Sequence, residues 1–181
     1  MIFAHALCLS LIAVAAAAET AASKQPEPID MMHMVNVSER LVVFARKHTT
    51  DTPFRCQSAM KKSGDIQKGY DYSLKARNGS EYLEDNVHVT LLPLPVGSGY
   101  KSTYIDRTGT NFTLTLWKKD ESGRCFVIFV EKNTGEQGCE LLVTASTRNE
   151  TVPRDCQSFY RNTENCEGTS KKLYKDKCKY D

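Results

Sequence analysis

Seven cysteines in a chain of 181 residues constrain this protein more than any other feature. One of them, Cys8, falls in Met1–Ala18, a stretch without Asp, Glu, Lys or Arg. Its apolar run from Ile2 to Val14 ends in small residues, and Ala16-Ala17-Ala18 precedes Glu19. That shape predicts a secretory signal peptide over residues 1–18, and hence a secreted, extracellular product. Six cysteines then remain: Cys56, Cys125, Cys139, Cys156, Cys166 and Cys178. An even count in an exported chain reads as three disulfides, with connectivity open at this stage. No pair has the close spacing that puts two thiolates on one metal, so no metal site is expected. Sequons at Asn36, Asn78, Asn111 and Asn149 fit the same oxidising, glycosylating compartment.

The charge balance excludes some partners. Lys plus Arg is 24 and Asp plus Glu is 22, so there is no basic surplus for nucleic acid. No stretch after the leader reaches 18 apolar residues, so no membrane span is expected. Four glycans on a small domain would leave little bare surface for a partner copy, which points to a monomer.

Residues 19–35 read as a polar lead-in. Beyond them the chain alternates short β-type runs with turn chemistry. Strands are expected near Glu39–Arg46, Arg55–Met60, Tyr70–Lys75, Asn86–Leu92, Lys101–Arg107, Phe112–Trp117, Cys125–Glu131 and Cys139–Thr144. The turns between them include Ser63-Gly64, Asn78-Gly79, Thr108-Gly109, Ser122-Gly123 and Thr134-Gly135. Eight consecutive strands with short links predict an up-and-down antiparallel barrel, with a β-sandwich as the other solution. A helix is expected over about 153–165: Pro153 suits its first turn and Asp155 its positive end. Within it Cys156, Phe159 and Tyr160 share the face that would pack on the barrel wall.

Period two places Phe112, Leu114 and Leu116 on one face of their strand. Asn111 lies on the other, where a glycan must be, so the Phe112 face points inward and Trp117 falls out of phase with it. In Cys139–Thr144 either Cys139, Leu141 and Val143 or Glu140, Leu142 and Thr144 face inward. That choice decides whether Glu140 lines the interior.

The cysteine-bearing segments resemble those of tick salivary lipocalins of the histamine-binding type. Cys125-Phe126-Val127-Ile128-Phe129-Val130 is similar to their Cys-Asp-Val-Ile-Tyr-Val strand, and Cys139-Glu140-Leu141-Leu142 to their Cys-Glu-Leu-Trp. Val152-Pro153-Arg154-Asp155-Cys156-Gln157-Ser158-Phe159 resembles their helix start, and Tyr174-Lys175-Asp176-Lys177-Cys178 their terminal Tyr-x-x-x-Cys. The resemblance implies one lipocalin domain over 36–181: an eight-stranded barrel, a carboxy-terminal helix on its wall and a disulfide-tethered tail. It also implies the pairs Cys56–Cys178 and Cys125–Cys156, leaving Cys139 with Cys166. Each bridge is worth roughly 2–4 kcal/mol.

Functionally, the resemblance implies a non-enzymatic scavenger of a small host mediator, without a cofactor. A buried amine needs carboxylates to neutralise it and aromatic faces to attract it. The positions carried over are Asp51, Asp85 and Glu140, with aromatic Tyr104, Phe112 and Phe54. Two departures make the interior more apolar: Phe126 stands where the family strand has aspartate, and Leu142 where it has tryptophan. A lipid mediator is therefore an alternative, with Arg46, Lys47 or Arg107 as the cation for its carboxylate. A further alternative is a loop-mediated inhibitor of a host protein, using the apolar stretch Leu92–Gly99. Catalysis has no support: there is no His-Glu-x-x-His and no Gly-x-Ser-x-Gly. His33, His48 and His88 are scattered over three segments and read as surface or loop residues.

Overall fold

A computed structural model describes residues 25–95 and 97–180. The expected signal peptide and the start of the lead-in lie outside the described residues. Among the described residues no helix is long and apolar enough to cross a membrane.

Eight antiparallel strands form the wall: β1 (Leu41–Arg46), β2 (Arg55–Asp65), β3 (Gly69–Asn78), β4 (Glu81–Pro93), β5 (Tyr100–Ile105), β6 (Asn111–Lys119), β7 (Cys125–Lys132) and β8 (Gln137–Thr144). Each pairs with the next in sequence. β1 pairs with β2 on one side and β8 on the other, which closes the sheet into the expected barrel and removes its free edges. A two-residue strand, β9 (Lys171–Lys172), adds to the far end of β1.

All eight strands stand where turn chemistry and alternation place them, but the first hairpin differs. Ser63-Gly64 is not a turn; β2 runs through it to Asp65 and turns afterwards. A side chain at Gly64 would sit 2.2 Å from the Gly69 carbonyl oxygen, at φ +115. The glycine is there because the returning strand passes that close, alongside a register shift between Lys61 and Ser63.

Two buried clusters explain why β7 reads as an unbroken apolar run. Phe126, Ile128 and Val130 point into the barrel, with Leu41, Val43, Leu116 and Leu142. Cys125, Val127 and Phe129 point outward into a second cluster, covered by α2 (Arg154–Asn162). β7 is thus buried on both faces, a condition under which alternation disappears. Trp117 joins the outer cluster and stacks on Phe129 at 4.3 Å. A bulge between Leu116 and Lys118 turns it to that side.

α2 follows Pro153, carries Asp155 in its first turn and buries Cys156 and Tyr160. It stops at Asn162, before the tighter turn Glu164–Cys166, so the expected 153–165 span is one helix plus one turn. Three disulfides tie these parts together: Cys56–Cys178, Cys125–Cys156 and Cys139–Cys166. All four sequon asparagines are exposed. The Tyr174 hydroxyl donates to the Asn149 side chain.

The segment read as a lead-in is partly built into the barrel. Ile29 N–H donates to the Leu116 carbonyl at 2.7 Å, and Met31 N–H to that of Tyr100 at 2.9 Å. Met31 and Val35 are buried with the inner cluster, and between them runs the one-turn helix α1 (Met32–Val35). They fill one end of the barrel, an outcome hidden in the sequence because Met31-Met32-His33-Met34-Val35 is too short to show a period.

Candidate functional site

The inward faces enclose a cavity of about 350 Å³, lined from all eight strands and from α1. Its wall is apolar over β3, β6 and β7, with Tyr72, Leu74, Leu114, Ile128 and Val130. Polar groups gather at the end opposite α1, where β1 finishes, β8 begins and the β5–β6 loop folds over.

Glu140 is the centre of that end. β8 turns Cys139, Leu141 and Val143 out beneath α2, which forces Glu140 and Leu142 inward. The Glu140 carboxylate meets His48 Nε2 at 2.9 Å and faces Arg46 across the β1–β8 ladder. Burial pushes its carboxyl upward, but the His48 hydrogen bond and the charges of Arg46 and Lys132 outweigh this and hold it below the usual carboxylate range. Arg46 is itself buried and donates to Gln57 Oε1 at 3.1 Å and the Thr49 carbonyl at 2.9 Å. Its Nε has no partner.

The aromatic pair stands beside this group. Tyr104 and Phe112 face each other across β5 and β6, ring centroids 4.7 Å apart and nearly parallel. Burial, with the nearby Glu140 and Asp106 charges, keeps the Tyr104 phenol firmly protonated. Phe54 and Asp85 also line the cavity. Asp85 accepts the Arg107 backbone N–H at 3.3 Å and remains half-buried.

Five of the six positions carried over by resemblance therefore meet at one cavity. Asp51 is the sixth; it lies exposed on the β1–β2 loop and is absent from the lining. Arg46 and Arg107 line the cavity, whereas Lys47 points out over the Tyr160 ring at 4.9 Å. The Leu92–Gly99 stretch is only partly an apolar protrusion: Leu92 is exposed, while Leu94 is buried.

His48 is a correction. Read as a surface or loop residue, it is 5 % exposed and lines the cavity; His33 and His88 are exposed. Strict alternation from Leu41 and Val43 would send Arg46 and His48 outward. A register shift between Val43 and Ala45 reverses the phase and sends both inward. Gly138 lets β8 come against this segment, since a side chain there would lie 2.9 Å from the Lys47 carbonyl oxygen, at φ +155.

A family model described as "Tick histamine binding protein" matches residues 30–180. No curated protein matches the chain.

Proposed function

The chain belongs to the tick histamine binding protein family, and from that membership we propose that its barrel sequesters a small biogenic amine such as histamine or serotonin. The observation that carries this reading is the inward, ionised Glu140 beside the stacked Tyr104–Phe112 pair. An ammonium taken out of water costs several kcal/mol unless a charge meets it. Glu140 supplies that charge, Asp85 a second carboxylate, and the rings an apolar surface for an aromatic amine. The three disulfides suit export to an oxidising compartment, where such a scavenger would meet host mediators.

The test is titration calorimetry of the oxidised protein with histamine, serotonin, a leukotriene and arachidonate at pH 7.4. Saturable, near-stoichiometric amine binding is expected. Glu140→Gln should weaken it about 10- to 100-fold, the worth of one charge-assisted hydrogen bond. An unchanged affinity in that variant refutes the role given to Glu140.

One observation favours a second reading. Arg46 is as close to the cavity as Glu140, and most of the wall is apolar. A lipid mediator could set its carboxylate against Arg46 and its chain along β3, β6 and β7. Binding of leukotriene or arachidonate with no amine binding would decide for it.

A further inference from the structure

The hydrogen bonds around Glu140 fix more than its position. Thr49 Oγ1 donates to Glu136 Oε1 at 3.1 Å, which uses its only proton. The same oxygen accepts from Lys132 Nζ at 2.5 Å and lies 3.1 Å from His48 Nδ1. With the Thr49 proton committed, Nδ1 must be the donor in that contact. The other ring nitrogen, Nε2, lies 2.9 Å from the Glu140 carboxylate, which only accepts. Both nitrogens therefore donate, and an imidazole with two donors is an imidazolium.

We infer that His48 is the specificity-determining residue of the cavity: it holds a proton as the counter-charge of Glu140 when the cavity is empty, and an amine binds by displacing that proton. The inference rests on the amine reading above. In the exchange the Nε2–H bond breaks, its electron pair stays on nitrogen and the proton passes to solvent. The ligand ammonium then takes the place of that proton. It donates to Glu140 on one side and to the freed Nε2 lone pair on the other, while Nδ1–H continues to hold Thr49. Histidine suits this because its charge changes between pH 5 and 8.

The charged groups around the ring come from several elements. Glu140 approaches from β8, Glu136 from the β7–β8 turn, Lys132 from β7 and Arg46 from β1 itself; Tyr104 approaches from β5 as a neutral phenol. Lys132 and Glu136 pair with each other at 2.7 Å. Arg46 persists as a fixed positive charge, so a cation entering next to a protonated His48 would meet two positive groups around one carboxylate. Loss of the His48 proton removes one of them. Acid should therefore oppose amine binding, and neutral pH should favour it.

The experiment is calorimetry of serotonin and histamine with the oxidised protein from pH 5.5 to 7.5, in two buffers of different ionisation heat. The same titrations on His48→Gln subtract any proton lost by the ligand. Near pH 6.5 the wild type should release more protons than the variant, approaching one per amine bound. Its affinity should fall on the order of tenfold between pH 7.5 and 5.5, with the variant nearly flat. Nitrogen NMR of the wild type needs no variant. His48 should show two protonated ring nitrogens when empty and one when serotonin is bound.

Amine binding with equal proton release and equal pH dependence in both proteins would overturn the inference and leave the amine reading intact. So would a single protonated nitrogen in the empty protein. No amine binding at any pH would remove the amine reading and this inference with it. Arachidonate binding alone, with His48 staying doubly protonated, would assign the imidazolium to an anion and overturn the exchange.

Discussion

Phe126→Ala will lower the free energy of unfolding by about 3–5 kcal/mol, the usual cost of deleting a fully enclosed aromatic ring. The ring is 0 % exposed and belongs to the inner cluster that includes Met31, Leu116, Leu142 and Leu173. It is the group least able to be replaced by local collapse, because β7 is covered on its other face by α2. Urea unfolding should show the loss as a lower midpoint with an unchanged slope. Phe112→Ala is the control: that ring borders open cavity and is only half-buried, so its loss should cost clearly less. Phe126→Asp restores the residue of the resembling family strand and should cost more than alanine, since a carboxylate there would be buried among apolar groups without a partner. A Phe126→Asp protein of near wild-type stability would show that this end of the barrel holds space for a second acidic site, and would refute the packing described.

The strands and the barrel were legible because most of the wall obeys simple rules. Turn residues mark nearly every hairpin, and period two separates Phe112, Leu114 and Leu116 from their neighbours. The places that resisted are those where geometry departs from the repeat. Gly64 looks like a turn because glycine serves turns and close approaches equally well, and only the paired strand distinguishes them. β7 shows no inward face because it has two buried ones. Glu140 was narrowed to a choice between two faces, and what settles it is α2, which covers Cys139, Leu141 and Val143 from outside.

The candidate site was harder for the same reason. Its acid and its aromatic pair are named by motif and phase, but the partner of the acid is not. His48 follows β1 by two residues, and one register shift inside that strand decides which way it points. Nothing in Arg46-Lys47-His48 signals that shift. Asp51 shows the opposite failure. It aligns with a ligand-binding position, yet the β1–β2 loop carries it to solvent, because alignment transfers residues and not loop conformation.

Removing the Cys56–Cys178 bridge by the double change Cys56→Ser and Cys178→Ser will destabilise the protein by roughly 4–5 kcal/mol, more than removing either of the other two bridges. The ordering follows from loop length. Cys56 and Cys178 are 122 residues apart, against 31 for Cys125–Cys156 and 27 for Cys139–Cys166. In the chain-entropy account the shorter loops are worth about 3–4 kcal/mol each. Packing pushes the same way. The tail that Cys178 fastens also buries Leu173 and Tyr174, and Leu173 accepts the Cys56 backbone N–H at 3.0 Å. Freed at its end, the tail loses the covalent restraint that keeps those groups in place. α2 has its own hold: Tyr160 and Phe159 remain packed on the outer cluster when Cys125–Cys156 is absent. Thermal or denaturant unfolding of the three double variants, with the remaining bridges verified as intact, gives the comparison. Equal losses for all three would mean that the folded-state contacts of each bridge, and not the constraint on the unfolded chain, set its contribution. A larger loss for Cys125–Cys156 would place the weak point of the fold at the helix and not at the tail.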